Sequence, residues 1–429
     1  MVDVRPFRAI RYTDLAGDPR NLITQPYDKI DPEMQRTYYE KSIYSFCRII
    51  LPIESDKYKV AQRRFHEWLR KGILARGDEP AIFVCRQEFT LDGKKLTRTG
   101  VIAALRLYNY DEQVVFPHET TYREPKTDRL NMMRAVQKDL EPVFLMYSDT
   151  EGATQSFFKE VSKTTPALVV EDSFGIKHTI WRVAEPEKIR LLQETLEPKK
   201  LVITDGHHRY ESAIAYRDER RQTEKGWTAD SSFNFHMSLL VPIQDEGLLA
   251  LPAHRLLKHH VLTDEQVSML GRFFTVTEIE STVKSLESFL KSNQNEHSFC
   301  IYTGTKAFGI VLKHEAAVYE FVRSSSSKDT KLFDVVILRD VIFKAILKAG
   351  DLKMDEDIIY ERWTSKAVER VDSGEATLAF FVNPIAPKVV WQIAQQHERI
   401  PEKSTDFYPK PVSGLVVMDV SPGEKLMVK

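Results

Sequence analysis

The stretch "ITDGHHRYESA", residues 203–213, decides how the chain is read. Leu201 to Ile203 is a short apolar, β-branched run, as a buried strand requires, and Glu211 to Arg220 has helical composition. Between them stand Asp205, Gly206, His207, His208 and Arg209. A helix that opens directly after a glycine offers backbone N–H donors and the positive end of its dipole, which together favour a phosphate. Gly206 lets the backbone approach an anion closely. Arg209 can grip phosphate oxygens in a two-pronged fork. His207 and His208 can donate hydrogen bonds or shuttle a proton. Asp205 can bind Mg²⁺ or act as a base. The competing reading makes Asp205 a helix cap and the histidines fillers of space, but capping needs only one of the five residues. Tyr210, Ala213 and Ile214 share the face that anchors the helix, and Arg217, Asp218 and Arg220 are expected in solvent.

Outward from this stretch the chain alternates. RPFRAIRY reads as a strand, DPEMQRTYYEKS as a short helix opened by Asp31 and Pro32, and YKVAQRRFHEWLRKGIL as a helix with Ala61, Phe65, Trp68 and Leu69 on one face. AIFVCRQEFTLDGKKLTRTGVIAALRLY is a hairpin turning at Asp-Gly. Further strands and helices follow as far as SFNFHMSLLVPI, and LPAHRLLKHH closes this first part. A weaker alternation covers 264 to 330, the SSSSK run from Ser324 to Lys328 reads as a loop, and the tail alternates again. The class is mixed α/β, with antiparallel pairs implied by the hairpins.

Composition removes several functions. Lys plus Arg number 61 against 62 for Asp plus Glu, so no net field holds nucleic acid or an anionic membrane, and any phosphate affinity is local. Cys47, Cys85 and Cys300 are far apart and odd in number, which argues against a disulfide framework and a zinc ribbon and fits a reducing cytoplasm. There is no apolar signal core at the start, and nowhere do about 18 apolar residues run together, so a cytoplasmic protein with no membrane span is expected.

Two other loops carry reactive residues. FPHETTYREPKTDRL holds His118, Glu119, Thr120, Arg123, Asp128 and Arg129, and lacks the second histidine of the HExxH zinc motif. PEKSTDFYPKPVSGL packs Lys403, Ser404, Thr405 and Lys410 between prolines without Walker glycines, and reads as an anion loop or a stiff strap. PYD at Pro26 to Asp28 and LPAHR at Leu251 to Arg255 are weaker signals.

RPFRAIRY, QPYDKI, the Trp68 helix, RTGVIAALRLY, PHETT with DRL, TDGHHRYESA, LPAHRLL and PEKSTDFYPKPVSGLV together resemble, almost end to end, the uncharacterised family called domain of unknown function one thousand and fifteen. That name carries no activity. DGHHRYESA alone is similar to the nucleotide-phosphate motif of the ParB and sulfiredoxin superfamily, where a Gly, polar, His or Arg, Arg run opens a helix. The superfamily holds CTP-dependent ParB switches, ATP-using sulfiredoxins and free-serine kinases. The resemblance implies that Gly206, His207, His208 and Arg209 line a nucleotide-phosphate site. His207 stands where the reactive sulfiredoxin cysteine would fall, which argues against sulfinic-acid reduction. With no evident helix-turn-helix and no basic balance, a ParB-like DNA clamp is also disfavoured. The free-serine-kinase branch remains by elimination.

The resulting expectation is a ParB/sulfiredoxin-like nucleotide-binding core over 1–262, an inserted smaller α/β subdomain over 263–345, and a C-terminal α/β segment over 346–429 that packs on the core. The function expected is phosphoryl transfer between a nucleotide, ATP or ADP, and a small hydroxyl compound, serine or phosphoserine first. Asp205, His207, His208, His118 and Glu119 are the catalytic candidates. Gly206, His208, Arg209, Lys403, Ser404 and Thr405 are the phosphate and nucleotide candidates, and Asp205 and Glu119 the candidate Mg²⁺ ligands. All are expected to line one pocket. The alternatives are a nucleotide sensor without turnover and a metal-dependent hydrolase.

Overall fold

The Leu201–Asp205 run is a strand with every residue buried, and helix His207–Thr223 follows it after a single glycine. The computed structural model describes residues 1–322, 327–350, 352–353, 356–401 and 403–426. Of the Ser324 to Lys328 run read as a loop, Ser324 to Ser326 lie outside the described residues, and Lys328 opens the short helix Lys328–Lys331. The fold is mixed α/β and divides into two units. The first comprises Met1–Pro117, Thr121–Leu248 and Pro409–Lys429, and the second His118–Thr120 with Leu249–Tyr408.

In the first unit the main sheet runs in the order Val115–Phe116, Leu201–Asp205, Val143–Tyr147, Phe235–Pro242, Lys94–Arg106, Ile82–Leu91, Lys177–Val183, Leu168–Glu171, with Val4–Arg5 also on Lys94–Arg106. Two pairings are parallel, Leu201–Asp205 with Val115–Phe116 and Phe235–Pro242 with Val143–Tyr147; the rest are antiparallel. The Asp-Gly hairpin forms as read. Asp92 and Gly93 both take positive φ, 48° and 75°, the left-handed pair that matches a two-residue turn to strand twist. Asp31 caps helix Pro32–Lys41, accepting from the Glu33 and Met34 amides. Tyr210 and Ala213 anchor helix His207–Thr223 against Val143, Leu145 and Ile203.

Two readings change. RPFRAIRY is not one strand: Val4–Arg5 and Ile10–Tyr12 join different sheets, and Pro6 between them has no amide to continue a ladder. Arg217, expected in solvent, is buried, donating to the Leu107 carbonyl at 2.9 Å and to Asn109 Oδ1 at 2.8 Å. Helical spacing alone could not show that a loop carbonyl would come down on that face.

The second unit holds a six-stranded antiparallel sheet in the order Phe274–Ile279, Ala307–Leu312, Ser298–Tyr302, Leu378–Val382, His254–Leu257, Ile358–Glu361. Leu257, Phe299, Ile301, Phe380 and the helical residues Val341 and Ile342 form one cluster of its core. The LPAHRLL segment, read as the close of the first part, lies here, because His254–Leu257 pairs with Leu378–Val382 and Ile358–Glu361. The units therefore divide at Leu248 and Tyr408 rather than at 262 and 345. Among the described residues no helix is long and apolar enough to cross a membrane.

Candidate functional site

Asp205 sits at the carboxyl end of its strand, and Gly206 turns the chain at φ +92° into the helix. Gly206 occupies the N-cap position and no side chain caps the helix, so Asp205 is not a cap. Its carboxylate is instead divided between two cations: Oδ2 accepts from Arg209 at 2.5 Å and Oδ1 from Lys410 at 2.5 Å. Burial acts to raise the Asp205 pKa, but Lys410, Arg209 and Lys29 outweigh it and hold the carboxyl well below the usual carboxylate range. Arg209 is buried and its other terminal nitrogen donates to the Pro142 carbonyl at 2.5 Å. The guanidinium folds back over the turn, so a Cβ on residue 206 would stand 3.0 Å from its carbon. Glycine is needed here twice, for φ and for space.

This geometry bears on two expectations. Both oxygens of Asp205 face cations at hydrogen-bond distance, so Asp205 does not fit as a Mg²⁺ ligand. A carboxylate held so low is also a poor base near neutral pH. The fork of Arg209, read as free for phosphate, is given to Asp205 and Pro142, because the side chain points inward from the first turn. Beneath it lies a cavity of about 30 Å³ lined by Arg129, Asp139, Glu141, Arg209 and His236 among others, with room for about two waters. Burial pushes the His236 ring down to about 3, and its Nδ1 lies 2.7 Å from the Met237 carbonyl.

His207 is buried and His208 half-buried. His208 Nε2 accepts the Tyr122 amide at 3.0 Å, which fixes that nitrogen as unprotonated. One turn on, Glu211 accepts from Thr121 Oγ1 at 2.7 Å, Lys126 Nζ at 2.9 Å and Tyr110 OH at 3.2 Å. The first turns of the helix thus clasp the segment that leads into helix Arg123–Val136.

The other candidates gather in the second unit. His118 is fully buried and its Nε2 lies 2.8 Å from Thr405 Oγ1, which donates to Glu119 Oε1 at 2.9 Å. The Ile400 amide donates to the His118 carbonyl at 2.9 Å, fixing the backbone that carries the pair. Ser404 is buried with its hydroxyl on the Pro401 carbonyl at 2.5 Å, a structural bond. Lys403 is exposed at φ +53°, its ammonium 4.9 Å from the Tyr360 ring centre. Asp205, Gly206, His207, His208 and Arg209 are thus gathered in the first unit, and His118, Glu119, Lys403, Ser404 and Thr405 in the second. Among the described residues no three His, Cys, Asp or Glu side chains come together as a metal site.

Sequence reading missed Lys410 and Glu211 as members of the helix-turn cluster. Lys410 had a signal in its crowded, proline-bounded segment, but its partner lies 205 positions away. Glu211 had none, since a glutamate in the second turn of a helix is ordinarily explained by helix propensity and solvent.

Among solved structures the chain is similar to a free serine kinase in complex with AMP, at 15% identity and TM-score 0.37, over 75% of this chain and 91% of that one. A conserved hypothetical protein from Pyrococcus furiosus matches at 15% identity and TM-score 0.34, over 72% and 91%. SbnI with a C-terminal truncation, from Staphylococcus aureus, matches at 9% identity and TM-score 0.31, over 71% and 82%. No curated protein matches the sequence. The family model described as "Protein of unknown function (DUF1015)" matches residues 4–335, and the chain belongs to that family.

Proposed function

We propose that the chain binds a nucleotide, ATP or ADP, and transfers a phosphoryl group to or from a small hydroxyl compound, with serine or phosphoserine the first to test. The observation that carries the reading is the Gly206 turn: a buried strand ends, the backbone takes φ +92°, and a 17-residue helix starts without a side-chain cap. Backbone donors and dipole at such an end suit a phosphate. The ParB/sulfiredoxin-like motif over the same residues points the same way. In this reading Gly206, His207 and His208 contact phosphate, and Arg209 and Lys410 add positive field while neutralising Asp205. Phosphoryl transfer needs mainly positioning and charge neutralisation, which is what these groups supply.

A thermal-shift panel of nucleotides, with and without Mg²⁺ and serine, tests the binding half, because a ligand of the folded state raises its apparent stability. Arg209→Lys keeps the charge but loses the fork that ties Asp205 to the Pro142 carbonyl across the turn, and by loosening the Gly206 backbone it is expected to lower nucleotide affinity about tenfold or more, about 1.4 kcal/mol per decade. Equal affinities by calorimetry would remove Arg209 from the site. The second reading, a sensor without turnover, is favoured by the locked Asp205, and would show as nucleotide binding with no consumption of any hydroxyl acceptor.

A further inference from the structure

Among the described residues most buried guanidiniums are answered. Arg5, Arg129, Arg209 and Arg217 each reach a carboxylate. Arg98 bonds Gln87 and the Pro409 carbonyl and lies 4.5 Å from the centre of the Phe144 ring. Arg255, from the LPAHR motif, differs. It is 6% exposed, donates once at 2.7 Å to the Ala253 carbonyl, and reaches the Lys403 carbonyl only at 3.5 Å. Among the described residues no carboxylate lies within ion-pair distance and Nε has no hydrogen-bond acceptor, yet that nitrogen is not among the sealed, unbonded atoms. Donors that are unanswered and not sealed face a place a ligand can enter. A buried charge without a counter-charge is unfavourable, and nature usually answers it.

A second cation shares an aromatic ring with Arg255. Arg255 lies 5.7 Å from the Tyr360 ring centre, and the Lys403 ammonium lies 4.9 Å from the same ring. Burial pushes the Arg255 pKa down to about 10, with Tyr360 and Glu119 acting to raise it and Arg339 to lower it further. We infer that Arg255 and Lys403 form an anion site of the second unit that takes the phosphate group of a small molecule, the planar fork supplying direction and the ammonium a point charge. The nucleotide reading names Lys403 but not Arg255, and this site is argued from the second unit alone, whether or not the Gly206 turn binds nucleotide.

The test is thermal denaturation of the full chain at fixed ionic strength, in chloride, acetate, inorganic phosphate and phosphoserine. Wild type is expected to gain about 2 °C or more in phosphate over chloride and acetate. A gain with phosphoserine beyond that with phosphate marks a monoester as the ligand; equal gains mark the free anion. Arg255→Met is expected to lose the gain while melting no lower than wild type in chloride, since a lone buried charge is removed. Lys403→Gln, at an exposed position, is expected to shrink the gain and carries the test if Arg255→Met fails to fold. Arg209→Lys is expected to keep it. No gain in wild type, or a gain that survives both Arg255→Met and Lys403→Gln, overturns the proposal. Loss in Arg209→Lys with retention in Arg255→Met moves the phosphate to the Gly206 turn and also overturns it.

Discussion

Arg209 of the first unit and Arg255 of the second are 5% and 6% exposed, and both stand in segments that sequence patterning singled out. Around Arg209 the protein supplies a carboxylate, a second cation on that carboxylate and a backbone carbonyl. Around Arg255 it supplies carbonyls and an aromatic ring, and among the described residues no acid within ion-pair distance. Equal burial therefore says little about what a charge is for. The satisfied guanidinium holds structure and shapes a field; the under-satisfied one is a better place to look for a ligand.

The sharpest way to break this contrast is to remove the acid. Asp205→Ala leaves Arg209 and Lys410 buried without their counter-charge, and the expected loss is about 3–5 kcal/mol of stability, read as a lower urea midpoint. Arg255→Met is expected to lose nothing by the same measure. If the two variants unfold alike, the distinction between the arginines fails. Next in size is Gly206→Ala: positive φ disfavours a side chain, and the added Cβ meets the Arg209 guanidinium at 3.0 Å. A loss of about 1–2 kcal/mol is expected, in both chloride and phosphate.

Titration compares the units more gently. Burial depresses His236 in the first unit and His254 in the second, each to about 3. Their folded-state values lie below that of an unfolded histidine, so the unfolded chain takes up protons first. Stability from this source is fully present above about pH 6.5 and is lost as pH falls from there toward 3. His236→Gln and His254→Gln should each flatten that slope in urea midpoints measured from pH 7 to 4. The smallest effect belongs to His297, whose pKa is raised chiefly by its hydrogen bond to Asp334. Its contribution has the opposite sign: present below the unfolded value and lost as pH rises through the folded one. His297→Gln should weaken the protein at pH 5 and leave it nearly unchanged at pH 8.

What patterning could read was local. The Asp-Gly hairpin, the Asp31 cap, the Tyr210 and Ala213 face and the strand–Gly206–helix order each depend on residues within one turn or one strand of each other. Pairings between distant segments were not written in any window. Lys410 on Asp205, a carbonyl over Arg217 and His254–Leu257 in the second sheet are all of this kind. The inward turn of Arg209 was hidden for another reason. A motif names residue types at a helix start, but only packing decides whether a long side chain at its third position turns out or folds back.

The Asp205–Lys410 pair also has a consequence in time. In sequence the main segment of the second unit interrupts the first: on the ribosome residues up to Leu248 are made, Leu249–Tyr408 follow, and only then does Pro409–Lys429 arrive. That last segment brings Lys410 to Asp205, bridges Ser413 to Thr24 and Val417 to Ile10, and pairs Met418–Asp419 with Lys138–Asp139. Until it emerges, the nascent first unit holds an Asp205 carboxylate that lacks one of its two cations, and an incomplete set of bridges. The second unit, although it comes later in the sequence, has all its main-sheet strands translated before the first is whole. A chain ended after Tyr408 and released from the ribosome should therefore show a protease-resistant second unit beside a first unit that is still cut.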